Sequence, residues 1–582
     1  MKTWFPILAS GVLGLLACEA GPSDAGGQAA EEDLAGGGSL GFVVSAVGTT
    51  CSGSADSNPF DELTRLVIQV TAPEDDAKVV ASKEFAVGQG TTSVSLTVPV
   101  GRDYTVTLKG FGRYDGDIPS WYARRRNVDV RQGSDNPPVE MVLARYGRFT
   151  CLTPAQNLTE RMFPALVDLG DGRVLIAGGF QQAVPTGAGS DKYVLDQASK
   201  LAFIYDSHRG TLTQTANAMN EGRAAASAVL VSGENPKVLV FGGATRMQIK
   251  IRGDFEWFVD AADALKSYEV FDLKTLEFEP VPQDQVREMT MARVFPATLP
   301  LSENAVLIAG GSSWPGAPAA ADARLCDLFI PDLGIQDRGP ASDLMQAEHF
   351  APAVAPLDSL NGRVRAVFFG GTTDLGAVVE VYTESSSKAV AGSFVKLAIP
   401  GITNAPFLAS IVPLSDPATG PARFLAVGGV VKDGTRYTQS STAYVLTLDR
   451  KDGLVVSGSA VAIQTACAKR FFHAAIPSFR PGRVTLLGGY TGVAQDPGGL
   501  TCFFDVAEFD KAKAANSALD AAFWQPAAGQ EVFAPRAGHG SLHLEDDTVL
   551  LVGGMDTTKS ALNGTQGALL ELYAPPTTTL AP

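Results

Sequence analysis

An apolar run ending in Gly-Gly occurs seven times along this 582-residue chain, and no other feature restricts its fold so strongly. The runs are VLIAGG at 174–179, VLVFGG at 238–243, VLIAGG at 306–311, AVFFGG at 366–371, FLAVGG at 424–429, VTLLGG at 484–489 and VLLVGG at 549–554. Their first glycines are 64, 68, 60, 58, 60 and 65 residues apart. Such a period marks one supersecondary unit that buries its apolar face only by stacking on copies of itself. The 61 Gly and 35 Pro, 96 together or about one residue in six, demand frequent turns and argue against a helix-rich fold. A hydrophobic share of 45% excludes a wholly disordered chain.

Each Gly-Gly strand follows another strand 17 to 20 residues upstream, as in RMFPALVDL from Arg161, RVFPATLPL from Arg293 and RAGHGSLHL from Arg536. After the glycines comes a variable loop and then a third strand: FIYD at 203–206, EVFD at 269–272, DLFI at 327–330, EVYT at 380–383, AYVLTL at 443–448, AEFD at 507–510 and ELYA at 571–574. A fourth strand closes most units, such as LEFEPV at 276–281, FVKLAI at 394–399 and FWQP at 523–526. Four antiparallel strands per repeat is the pattern of a propeller blade. The arrangement resembles the kelch repeat, in the longer form of galactose-oxidase-like propellers, over residues from about 150 to 576. The resemblance implies an all-β fold with a seven-bladed kelch-type β-propeller over 149–582. The segment 145–152 is expected to supply the outer strand that the seventh unit lacks, which would remove the last open edge.

Residues 39–148 form a different unit. LVIQVTAP, SVSLTVPVG, YTVTLKGFG and VEMVLARY alternate apolar and polar residues between Gly, Pro and Asp turns, which predicts a small antiparallel β-sandwich. The phrase LTVPVGRDYTVTLKGFG loosely resembles transthyretin-like and carboxypeptidase-regulatory-like modules, with a spacing or docking role.

Met1–Cys18 carries one lysine, an apolar run and a small residue before Cys18, the order of a secretory signal. Leu15-Leu16-Ala17-Cys18 resembles the lipoprotein box of bacteria, which implies acylation of Cys18, as with palmitate; a plain secretory signal is the alternative. Residues 19–38 are Gly, Ala, Ser and acid, a flexible tether. The expected location is the cell envelope, tied by lipid. Glu19 in place of the usual Asp retention signal favours the outer membrane. In an oxidising compartment two disulfides are candidates, Cys51–Cys151 and Cys467–Cys502, with Cys326 left over. A net charge of −16 without a basic cluster disfavours nucleic acid as a partner.

All the large insertions follow the Gly-Gly strands, on one face of the expected disc. Loops on a rigid scaffold carry function. Phe180, Trp257, Phe258, Trp314 and Tyr490 lie there and are candidates to meet a sugar or protein ligand, or else to pack beneath their own loops. The arginines that open the first strands, Arg161, Arg223, Arg293, Arg470 and Arg536, could bind an anion. They could equally pair with Glu269, Asp327, Glu380, Glu508 and Glu571 to build the units, and the repetition of both partners favours pairing. His349, His473 and His539 sit at related places, but the tyrosine and cysteine partners of a galactose-oxidase-like copper site are not matched, and no catalytic motif, metal site or cofactor is assigned. The expected function is binding of a protein or glycan; an enzyme acting on carbohydrate and an assembly platform in an envelope complex are the alternatives.

Overall fold

The computed structural model describes residues 37–575 apart from a set of loops, the longest being 47–61, 312–323 and 557–569. The fold is all-β. The signal, Cys18, the tether up to residue 36, Cys51 and Trp314 lie outside the described residues.

Seven four-stranded antiparallel sheets each contain one Gly-Gly strand as their second strand. These second strands are Arg173–Ala177, Lys237–Phe241, Val306–Ala309, Arg363–Phe369, Ala422–Val427, Arg483–Leu487 and Val549–Val552. We number the sheets one to seven in this order. The seventh takes its outer strand from Phe149–Cys151, where Glu571 pairs with Cys151 and Tyr573 with Phe149. Both ends of the repeat region therefore meet in one sheet, as the residues at 145–152 led us to expect.

The first strands adjoin one another in sequence order, and the first strand of sheet seven adjoins that of sheet one. Hydrogen bonds complete this cycle. The second glycine of each pair donates its N–H to the backbone carbonyl at the head of the next sheet: Gly179 to Arg223, Gly243 to Arg293, Gly311 to His349, Gly371 to Pro406, Gly429 to Arg470, Gly489 to Arg536 and Gly554 to Arg161, at 2.6–3.0 Å. The glycines are required by contact as well as conformation. Gly553 has φ +65° and Gly554 +106°, and a Cβ on Gly553 would collide with the Arg161 carbonyl oxygen.

One expected strand is a helix. AEFD at 507–510 lies within Val506–Ala514, and the third strand of sheet six is Cys502–Asp505. Asp505 accepts the N–H groups of Ala507 and Glu508 as an N-cap, and Ala, Glu and Lys are good helix formers, which overrides the repeat pattern here. Glu508 consequently lies on the helix beside Lys511, far from its expected arginine role.

The amino-terminal unit also differs from expectation. Its strands are β1 (Gly37–Ala46), β2 (Leu63–Ala72), β3 (Asp75–Ala86), β4 (Ser95–Pro99), β5 (Gly101–Gly112), β6 (Trp121–Val130) and β7 (Val139–Arg145). They form one sheet in the order β3-β2-β5-β6-β7-β1-β4, nearly closed, instead of two separate layers. The reason is β1, whose first half pairs antiparallel with β4 while its second half pairs parallel with β7. Leu40, Ile68, Val70, Val98, Val106, Leu108, Trp121 and Leu143 fill its interior.

Candidate binding face and the buried pairs that carry it

All five predicted arginines are buried, and each donates Nη1 to the carbonyl of the first glycine of its own sheet: Arg161 to Gly178, Arg223 to Gly242, Arg293 to Gly310, Arg470 to Gly488 and Arg536 to Gly553. What lies at the third-strand position varies. Arg223 meets Glu269 at 3.0 Å, Arg293 meets Asp327 at 2.7 Å and Arg536 meets Glu571 at 2.8 Å. In sheet four His349 replaces the arginine, with Nδ1 on the Gly370 carbonyl and Nε2 3.0 Å from Glu380. Arg161 faces the ring of Phe203 at 5.5 Å, and Arg470 contacts Cys502 Sγ at 3.4 Å. Without a carboxylate, burial pushes the Arg161 guanidinium down to about 10. The acids also receive the chain that enters the first strand: Glu269 accepts the N–H groups of Asn220 and Glu221, and Glu380 those of Gln346 and Ala347. These arginines are spent on the fold and are closed to an external anion.

The insertions after the Gly-Gly strands of sheets one and two combine into a further four-stranded sheet: Phe180–Pro185, Lys192–Ala198, Met247–Lys250 and Glu256–Phe258. It forms a roof. Its inner side presents Ala183, Tyr193, Leu195, Met247, Ile249 and Trp257 to a core that also holds Phe180, Phe255 and Tyr490. Phe163, Phe295 and Phe472, from sheets one, three and six, meet in that core with ring centroids 4.6–6.0 Å apart. The fifth sheet's insertion, a hairpin of Val430–Asp433 and Arg436–Gln439, reaches the roof: Phe255 N–H donates to the Tyr437 carbonyl at 2.9 Å, and Tyr437 N–H to Asp254 at 2.7 Å.

This packing divides the predicted ligand aromatics. Phe180 and Trp257 have no exposed surface and Tyr490 keeps 2%, so all three hold the roof down instead of facing solvent. Phe258 points outward, 38% exposed. Strand alternation explains the split, since neighbours Trp257 and Phe258 must point to opposite sides. The outer side carries a cross-strand row, Val184–Val194–Gln248–Phe258, given by the pairing of Val184 with Val194, Val194 with Gln248 and Gln248 with Phe258. Gln182 and Asp196 flank it on one side, and Lys192, Lys250 and Glu256 on the other.

His473 and His539 lie in adjoining seams, and His349 pairs with Glu380. His208 Nε2 lies 2.7 Å from Glu545, and no group of three or more metal-ligating side chains occurs among the described residues. His473 and His539 are enclosed at their ring nitrogens, and burial beside Arg470 and Arg536 pushes both down to about 3. Cys467 and Cys502 are joined by a disulfide, while Cys326 is free and buried. Cys151 is also disulfide-bonded, its expected partner Cys51 lying outside the described residues.

Sequence reasoning missed one contact. Arg124 and Arg126 of β6 both bind Asp547, Tyr122 Oη approaches the same carboxylate at 3.5 Å, and Arg125 lies 3.6 Å from Glu545. Three consecutive arginines and the Glu545-Asp546-Asp547 turn were the available signal. Burial pushes Asp546 up to about 6 despite two hydrogen bonds from Thr548. No family model matches this chain, and no curated protein matches it.

Proposed function

We propose that this chain is a seven-bladed kelch-type propeller, held at the cell envelope through acylated Cys18, that binds a protein or glycan without catalysing a reaction. The propeller reading is supported by the cycle of seven glycine-to-carbonyl hydrogen bonds, one at each junction between successive sheets. The binding reading is carried by the roof's outer row. Val184 and Phe258, 46% and 38% exposed, stand on a rigid sheet flanked by amide and charged side chains. An apolar bar edged with donors and acceptors suits a pyranose face or a protein hot spot. Of the three histidines at related places, His349 is engaged with Glu380, and no group of three or more metal-ligating side chains gathers around His473 and His539 among the described residues.

The full-length protein in detergent, applied to a glycan array and to immobilised envelope extract, tests this reading. The paired variant Val184→Ser/Phe258→Ser should lose at least tenfold in binding while its melting temperature stays within a few degrees. Unchanged binding by a folded variant sinks the assignment of the site. A glycan hit and an extract-only hit separate the two ligand classes.

A further inference from the structure

At the place three residues beyond each sheet's leading residue, the first five sheets carry Pro164, Ala226, Pro296, Pro352 and Ala409, whereas sheets six and seven carry His473 and His539. Both imidazoles sit in seams. The His473 ring occupies the space beside Gly428 of sheet five that a Cβ would need, and the His539 ring does the same beside Gly488 of sheet six. Each residue keeps some exposed surface, yet all four ring nitrogens are shut off from solvent without a hydrogen-bond partner. The charged groups facing them are Arg470 at His473, and Arg536 together with His473 at His539; Arg536 is bound to Glu571. Phe472, next in chain to His473, packs on Phe255 beneath the roof at 5.6 Å.

We infer that the seams between sheets five, six and seven form an acid-sensitive latch: protonation of His473 and His539 loosens the ring there, at the seat of the roof. A proton on either ring would be a cation without a partner, beside a guanidinium and enclosed by the neighbouring sheet. The sign follows from linkage. Burial and the arginines hold both groups below the ordinary imidazole value, so the unfolded chain takes up protons that the fold refuses. The contribution is whole above about pH 6.5 and is lost progressively as pH falls toward 3. At pH 5, about 1.5 units below the unfolded value, each histidine weighs against the fold by roughly thirty-fold in the equilibrium constant.

Denaturant unfolding of the full chain at pH 7.5 and 5.0 tests this, comparing the natural protein with His473→Ala, His539→Ala and the double variant. Alanine is the residue the chain itself uses at this place in sheets two and five. Each single variant should remove about thirty-fold of the acid loss and the double variant about a thousand-fold. An acid loss in the double variant equal to that of the natural protein overturns the latch. Should the variants fail to fold, NMR titration of the imidazole protons in the natural protein decides. Signals from His473 and His539 that titrate reversibly near 6.5 in the folded state overturn it, and their failure to titrate above about pH 5 supports it.

Discussion

Sheets three and five hold the same place in the repeat with opposite chemistry. In sheet three Arg293 and Asp327, both without exposed surface, form an ion pair, and Arg293 also binds the carbonyls of Gly310 and Leu325. In sheet five the equivalent residues are Pro406 and buried Tyr444, a proline and an aromatic. The backbone link at each head is nonetheless the same, Gly243 N–H to Arg293 carbonyl and Gly371 N–H to Pro406 carbonyl, both 2.8 Å. The ring is thus built on main-chain hydrogen bonds that glycine makes accessible. The side-chain pair varies from sheet to sheet while that link stays. Sheets one and six stand between these extremes, with Arg161 against Phe203 and Arg470 against Cys502.

The sharpest way to break this comparison is to remove one partner alone. Asp327→Ala should cost about 3–5 kcal/mol, because Arg293 is left charged and buried. Converting both, as Arg293→Met/Asp327→Leu, should restore most of that stability in denaturant melts; a double variant as unstable as the single would show that the pair itself is indispensable. Gly553→Ala challenges the main-chain link, since its Cβ collides with Arg161 at the junction of sheets seven and one. We expect a loss of about 3 kcal/mol, measured as a lowered melting temperature, and a neutral result would remove the steric account of the Gly-Gly signature. Sheet six supplies the third test. Replacing Cys467 and Cys502, 35 residues apart, by Ala should cost about 2–4 kcal/mol. Cys467→Ala/Cys502→Asp should recover part of this by giving Arg470 the carboxylate that sheets two, three and seven use. The smallest effect is expected at Phe203→Leu, about 1 kcal/mol, from loss of the cation–π contact with Arg161.

Much of the repeat region was legible because its signals are local. Period-two apolar runs predict strands and Gly-Gly predicts their ends. Third strands were correctly placed wherever one apolar-aromatic run followed the loop. Sheet six defeated that rule, since CFFD and AEFD stand side by side and only the Asp505 cap assigns the second to a helix. The candidate face was half legible: the described insertions of sheets one, two and five meet in the roof on the Gly-Gly side, but spacing could not tell Trp257 from Phe258. The two-layer reading of residues 39–148 failed because period-two alternation defines a strand's faces and leaves open which strands lie on either side of it.

By itself, the sequence determined that seven like units follow one another, where each turns beside its glycines, and which segment is free to close the last sheet. Those properties depend on backbone conformation and short-range alternation, which a few neighbouring residues set. Only the tertiary structure decided that two insertions share one roof, that Phe163, Phe295 and Phe472 converge beneath it, and that Arg124 and Arg126 converge on Asp547. These contacts join residues more than fifty positions apart. Their geometry depends on ring closure and strand register, so no local pattern encodes them.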